Sequence, residues 1–94
     1  MKVRVTDDAK SDLGRIKAYI QDRNAIVAEQ VIDRIRAVIM RLTLLPRLGH
    51  AGVVHGTHEI SVPRVTFVLV YRLDVADTDE ELVILRVYHT AQDR

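Results

Sequence analysis

The sequence predicts an α+β domain of order βααβββ, an antiparallel sheet with an N-terminal helical hairpin packed on one face. The first observation behind this is a change of period. Apolar residues recur every three or four positions from about residue 8 to 45, and every second position from Gly52 onward. The second is the short joint at Asn24, which obliges two consecutive amphipathic helices to pack antiparallel.

The elements follow in order. Met1 to Val5 alternates valine with lysine or arginine, the pattern of a short half-buried strand. Thr6 and Asp7 supply N-cap chemistry, and Asp8 adds favourable charge at the start of a helix expected over 8–23. Its stripe is Ala9, Leu13, Ile16 and Ile20. Asn24 ends this helix or caps the next. The second helix carries Ala28, Val31, Ile35, Val38, Leu42 and Leu45 on one face and stops at Pro46. Strands are expected at Thr57–Val62, Thr66–Leu73 and Leu82–His89, with the acidic segment Asp74–Glu81 as a hairpin link. No repeat or linker interrupts the chain, so residues 1–94 are expected to form one domain.

Composition narrows the function classes. There is no Cys, which excludes disulfides and thiolate zinc sites. With no Trp, one Phe and three Tyr, a base-stacking platform for single-stranded nucleic acid is not expected. Neither a signal-peptide core nor an apolar run of about 20 residues is visible, so a soluble cytoplasmic protein without membrane partners is expected. The net charge of +1 is unevenly spread: from Arg34 to Arg72 there are six arginines against one acid, Glu59. Such a stretch is either a solvated face or a surface for an anionic partner.

Strict alternation sorts the strand residues into two faces. One face gathers Glu59, Ser61, Arg72, Arg86 and Tyr88 beside Val68, Val70, Leu82 and Ile84. Four aliphatic side chains left open invite association, so Val68, Val70, Leu82 and Ile84 are the candidate docking residues. The same face offers chemistry. Arg72 or Arg86 would stabilise charge on a phosphate, and Glu59, Tyr88 or His89 would move protons in RNA cleavage. The competing structural reading is an ion pair between Glu59 and a neighbouring arginine, and parity puts His89 opposite Arg86. His50, His55 and His58 span a loop and a strand start, with no helix presenting two of them together, so no metal or other cofactor is expected.

Several segments together carry a family resemblance: Ala9-Lys-Ser-Asp-Leu through Ile16-Lys-Ala-Tyr-Ile20, Leu44-Leu-Pro46 with Gly49, Gly56-Thr-His-Glu-Ile60, Val70-Tyr-Arg72, and Ile84-Leu-Arg-Val-Tyr-His89 with Ala91-Gln-Asp93. In order and spacing the chain resembles the RelE/ParE toxin superfamily of bacterial type II toxin–antitoxin systems over essentially its whole length. The resemblance implies the same βααβββ fold and a cognate antitoxin that wraps the toxin in a hetero-oligomer. ParE-like members act by binding DNA gyrase; RelE-like members cut messenger RNA on the ribosome without metal. The long helical hairpin, the Gly-Thr-x-Glu-Ile string and the Leu-Arg-Val-x-His ending are closer to the ParE-like branch. A ribosome-dependent endoribonuclease, or a non-toxic partner-binding domain, is the alternative. Many relatives carry Arg where this chain has His58.

Overall fold

Thr6 starts the first helix as its side chain suggests. Its Oγ1 accepts the Ala9 N–H at 3.1 Å, and Asp7 and Asp8 occupy the positively polarised first turn. The computed structural model describes residues 1–90. Its elements are β1 (Lys2–Val5), α1 (Asp7–Gln21), α2 (Ala25–Leu44), β2 (His50–Ala51), β3 (His58–Ser61), β4 (Phe67–Ala76) and β5 (Asp79–His89). The segment Ala91-Gln-Asp93 lies outside the described residues.

Asn24 is the N-cap of α2: its Oδ1 accepts the N–H groups of Ile26 and Val27, each at 3.1 Å. Ala28, Val31, Ile35, Val38 and Leu42 are buried on one stripe, facing Ala9 and the partly buried Leu13, Ile16 and Ile20 of α1. Leu45, expected on that stripe, instead ends the helix as its C-cap and is exposed.

The sheet order is β1-β5-β4-β3-β2. The expected all-antiparallel sheet is corrected to a mixed one, because β1 runs parallel to β5. Antiparallel neighbours need only tight turns, whereas a parallel pair needs a long crossover. Here the whole helical hairpin and the β2–β4 meander provide it.

The acidic link is also shorter than expected. Ala76 pairs with Asp79, so only Asp77 and Thr78 turn the chain, Asp77 at φ 55°. Asp74 and Glu81 are tolerated inside strands because arginines meet them. Arg4 Nε donates to Glu81 at 3.1 Å, and Arg72 Nε donates to Asp74 at 2.8 Å.

The largest correction concerns parity on β5. Val70 lies opposite Arg86 but Tyr71 lies opposite Ile84, so Leu85 is an extra residue, a β-bulge. Leu82 and Ile84, assigned by strict alternation to the open face, are fully buried in the core beneath the helices. Energetics explain the bulge. Unbroken alternation that buries Leu82 and Ile84 would also drive the Arg86 guanidinium into the core. Shifting the phase puts Arg86 and Tyr88 outside and Val87 inside. Burying Val87 contributes about 1.5–3 kcal/mol, against about 0.5–1.5 kcal/mol for a lost ladder bond. Thr6 holds the bulge from the side: its N–H donates to the Ile84 carbonyl at 3.0 Å and its hydroxyl to the Leu85 carbonyl at 2.9 Å.

Candidate functional site

The open face of the sheet carries Glu59 and Ser61 of β3, Val68, Val70 and Arg72 of β4, and Val83, Arg86 and Tyr88 of β5. Val68 and Val70 are 6 % and 9 % exposed. Both are buried rather than left open as expected, and the loop after β2 lies against Val70. Val53 and Val54 from that loop line a cleft of about 230 Å3 with Thr57, Glu59, Val70, Leu85, Arg86 and Tyr88. The Val53 N–H points to Glu59 Oε2 at 3.4 Å, which ties the loop to the buried Glu59.

The five candidates for RNA cleavage do not converge. Glu59, Arg86 and Tyr88 share the cleft. Arg72 lies opposite Val83 and is committed to Asp74, which raises its pKa. His89 sits on the helix side, its Nε2 2.9 Å from Thr66 Oγ1 and its ring edge-on to Phe67. It lines a separate cleft with Asp12, Tyr19 and Val87. An acid–base pair across a single substrate needs both groups within hydrogen-bond reach of it. The sheet separates His89 from Glu59 and Tyr88, while the Arg86 guanidinium is held by Asp12.

Arg86 has a structural partner, Asp12, that strand alternation does not reveal. Its Nε donates to Asp12 Oδ2 at 2.8 Å and its Nη2 to Asp12 Oδ1 at 3.0 Å, a bidentate pair. The same carboxylate accepts the Val87 N–H at 2.9 Å and pairs with Arg15. Asp12 is 2 % exposed. Burial alone would raise its pKa. The Arg86 and Val87 hydrogen bonds and the charges of Arg86 and Arg15 outweigh burial and lower it from the ordinary 3.8. Asp12 in turn raises the Arg86 pKa, and the guanidinium lies 4.9 Å from the Tyr88 ring centroid. One carboxylate thus holds two guanidiniums, and Arg86 is fixed in place by Asp12 rather than free to follow a phosphate. The signal for Asp12 was present: it occupies an inner position of the Ala9–Leu13–Ile16 stripe, where an acid needs a partner.

Tyr71 and the histidines complete the picture. Tyr71 Oη donates to the Pro46 carbonyl at 2.9 Å and accepts the Gly49 N–H at 3.0 Å. A Cβ at Gly49 would lie 2.6 Å from Tyr71 Oη and 2.7 Å from the Glu59 carbonyl oxygen, so the loop admits only glycine there. His58 stacks on Tyr71 at 5.4 Å between centroids, on the face away from Arg86, and His50 Nδ1 lies 3.1 Å from the Ala51 carbonyl. Among the described residues no helix is long and apolar enough to cross a membrane.

This arrangement of helical hairpin and five-stranded sheet is the fold of small RelE/ParE-type toxins. A chain of the chromosomal ParDE toxin–antitoxin system of P. aeruginosa superposes with a TM-score of 0.68 at 20% identity, covering 95% of each chain. The YoeB/ParE toxin of Agrobacterium tumefaciens gives 0.66 at 16% identity, covering 95% of this chain and 98% of that one. A chain of the RelBE2 toxin–antitoxin complex of Mycobacterium tuberculosis gives 0.58 at 29% identity, covering 94% and 95%. No curated protein matches the chain in sequence. The family model of the ParE toxin of type II toxin–antitoxin systems, parDE, matches residues 3–94, and the chain belongs to that family.

Proposed function

We propose that this chain is the toxin of a type II pair, neutralised by a cognate antitoxin, and that it acts in the cytoplasm by binding DNA gyrase rather than by cutting RNA. The observation that carries the reading is the Asp12–Arg86 pair. It makes the most prominent arginine of the open face an architectural one, while His89 sits on the other side of the sheet. Arg72 and Arg86 are both held by carboxylates of this chain, which supports a binding role over proton-transfer chemistry. Antitoxin binding is assigned to the cleft beside Val70, which is mostly apolar and rimmed by Glu59, Arg86 and Tyr88.

The test is a pair of assays on the purified chain, gyrase supercoiling and cleavage of ribosome-bound mRNA. Inhibition of supercoiling without cleavage is expected, together with its relief by the cognate antitoxin, which is to be sought as a protein encoded in the adjacent reading frame. Tyr88→Phe separates the mechanisms better than Arg86→Ala, since Arg86 also holds the fold. Its toxicity is expected to stay within about threefold of the parent, whereas loss of a proton-transfer group costs about 100-fold or more. The ribonuclease reading is favoured by one feature, the shared cleft of Glu59, Arg86 and Tyr88. Ribosome-dependent cleavage abolished by Tyr88→Phe would establish it instead.

A further inference from the structure

The Arg-rich middle of the chain splits evenly. Arg36 pairs with Asp33, Arg47 with Glu80 and Arg72 with Asp74. Among the described residues, no ion pair joins Arg34, Arg41 or Arg64 to a carboxylate. These three are not scattered. Arg34 and Arg41 line one cleft of about 110 Å3 between α2 and the β3–β4 turn, with Pro63 on its far wall and Ala37 and Val38 as its floor. Arg64 follows Pro63 in the chain at φ 67°, a left-handed conformation that glycine adopts more readily.

The geometry points to this outer side of α2 as a second contact for the protein partner, taking an acidic amphipathic helix; the inference rests on the reading that an antitoxin holds the chain. Unpaired arginines call for an anion, and the apolar floor restricts which one. A phosphodiester brings charge but no aliphatic group for the cleft, whereas a leucine-sized side chain suits its volume. The apolar stripe then continues past Ala37 to Met40 and Leu44, which are 66 % and 81 % exposed at three- and seven-residue spacing. From Arg34 to Leu44 is about 15 Å along the axis, close to three helical turns. The backbone of α2 is satisfied internally, so an added strand finds no ladder there, and ridge-into-groove packing of a helix is the available mode.

The test is an NMR titration of the full chain with a synthetic helical peptide whose leucine stripe is flanked by glutamates. A version with the leucines changed to serine and a 12-residue single-stranded RNA run alongside. Amide shifts are expected at Arg34, Arg41, Leu44 and the Pro63–Arg64 turn. Arg34→Gln, Arg41→Gln and Arg64→Gly should each weaken the peptide about tenfold. Arg64→Gly relieves the left-handed backbone, so its thermal midpoint should be unchanged or higher, and weaker binding there is not a folding defect. Shifts centred on the Val70–Tyr88 cleft, equal binding of the serine peptide, or tighter binding of the RNA at these residues would overturn the proposal. Such a result beside intact neutralisation by the adjacent-frame protein removes this contact alone; absent neutralisation removes the functional reading itself.

Discussion

A carboxylate at position 12 does the work that a strand would otherwise do. β1 ends at Val5, so the outer edge of β5 beyond Ile84 has no neighbouring strand, and Asp12 accepts the Val87 N–H there. Its lowered pKa gives a signed pH dependence. The stabilising contribution is fully present above the unfolded value near 3.8 and is lost as pH falls through the lower folded value. Asp12→Asn should therefore cost about 1–3 kcal/mol at neutral pH, less than a fully buried pair because Arg86 keeps partial solvent access. The difference from the parent should shrink as pH drops below about 4. Urea midpoints at pH 7 and pH 3 measure it; an undiminished difference at pH 3 contradicts the assignment. Tyr71 is the second residue of this kind. Burial raises its phenol pKa against the lowering effect of the Gly49 N–H, so it stays a donor to the Pro46 carbonyl. Tyr71→Phe strips partners from two loop groups and should cost about 1–3 kcal/mol in the same urea experiment.

The consequence for β5 as an element is a sheet edge closed by a helix side chain and by Thr6 rather than by a strand. In hydrogen exchange the Val87 amide should be protected like those of β4, and Asp12→Ala should release it selectively while leaving Leu69 slow. Uniform loss of protection across β4 and β5 would mean that Asp12 holds the whole sheet instead. The elements themselves were legible in the sequence because period and caps coincide: Thr6 and Asn24 begin helices and Pro46 follows one. Face assignment was legible except across the bulge. Alternation carries no mark of an extra residue, so Leu82 and Ile84 went to the wrong side while Val68 and Val70 did not. The parallel pairing of β1 was equally hidden, since a four-residue strand looks the same in either direction. Of the candidate site, composition named the arginines but not their partners, because Asp12 and Arg86 are 74 residues apart.

Taken as a whole, the molecule spends its acids unevenly. Asp74, Glu80 and Glu81 neutralise Arg4, Arg47 and Arg72 around the β4–β5 hairpin, and Asp12 neutralises Arg86. Of the cations that no ion pair joins to a carboxylate among the described residues, Arg34, Arg41 and Arg64 gather at the second half of α2 and the β3–β4 turn, so a net charge of +1 understates the local field there. That field sets the last prediction. If carboxylates of the antitoxin meet Arg34, Arg41 and Arg64, the complex must weaken with salt, since the Debye length falls from about 10 Å at 0.1 M to about 3 Å at 1 M. The mostly apolar cleft at Val70 and Tyr88 depends less on screening and should hold the complex together throughout. Calorimetric titration against the adjacent-frame protein should then show a Kd that rises about tenfold or more over this range, mainly through slower association. Arg34→Gln combined with Arg41→Gln should flatten the dependence while leaving the high-salt Kd close to that of the parent. A salt response equal in parent and double variant would place the attraction elsewhere on the surface.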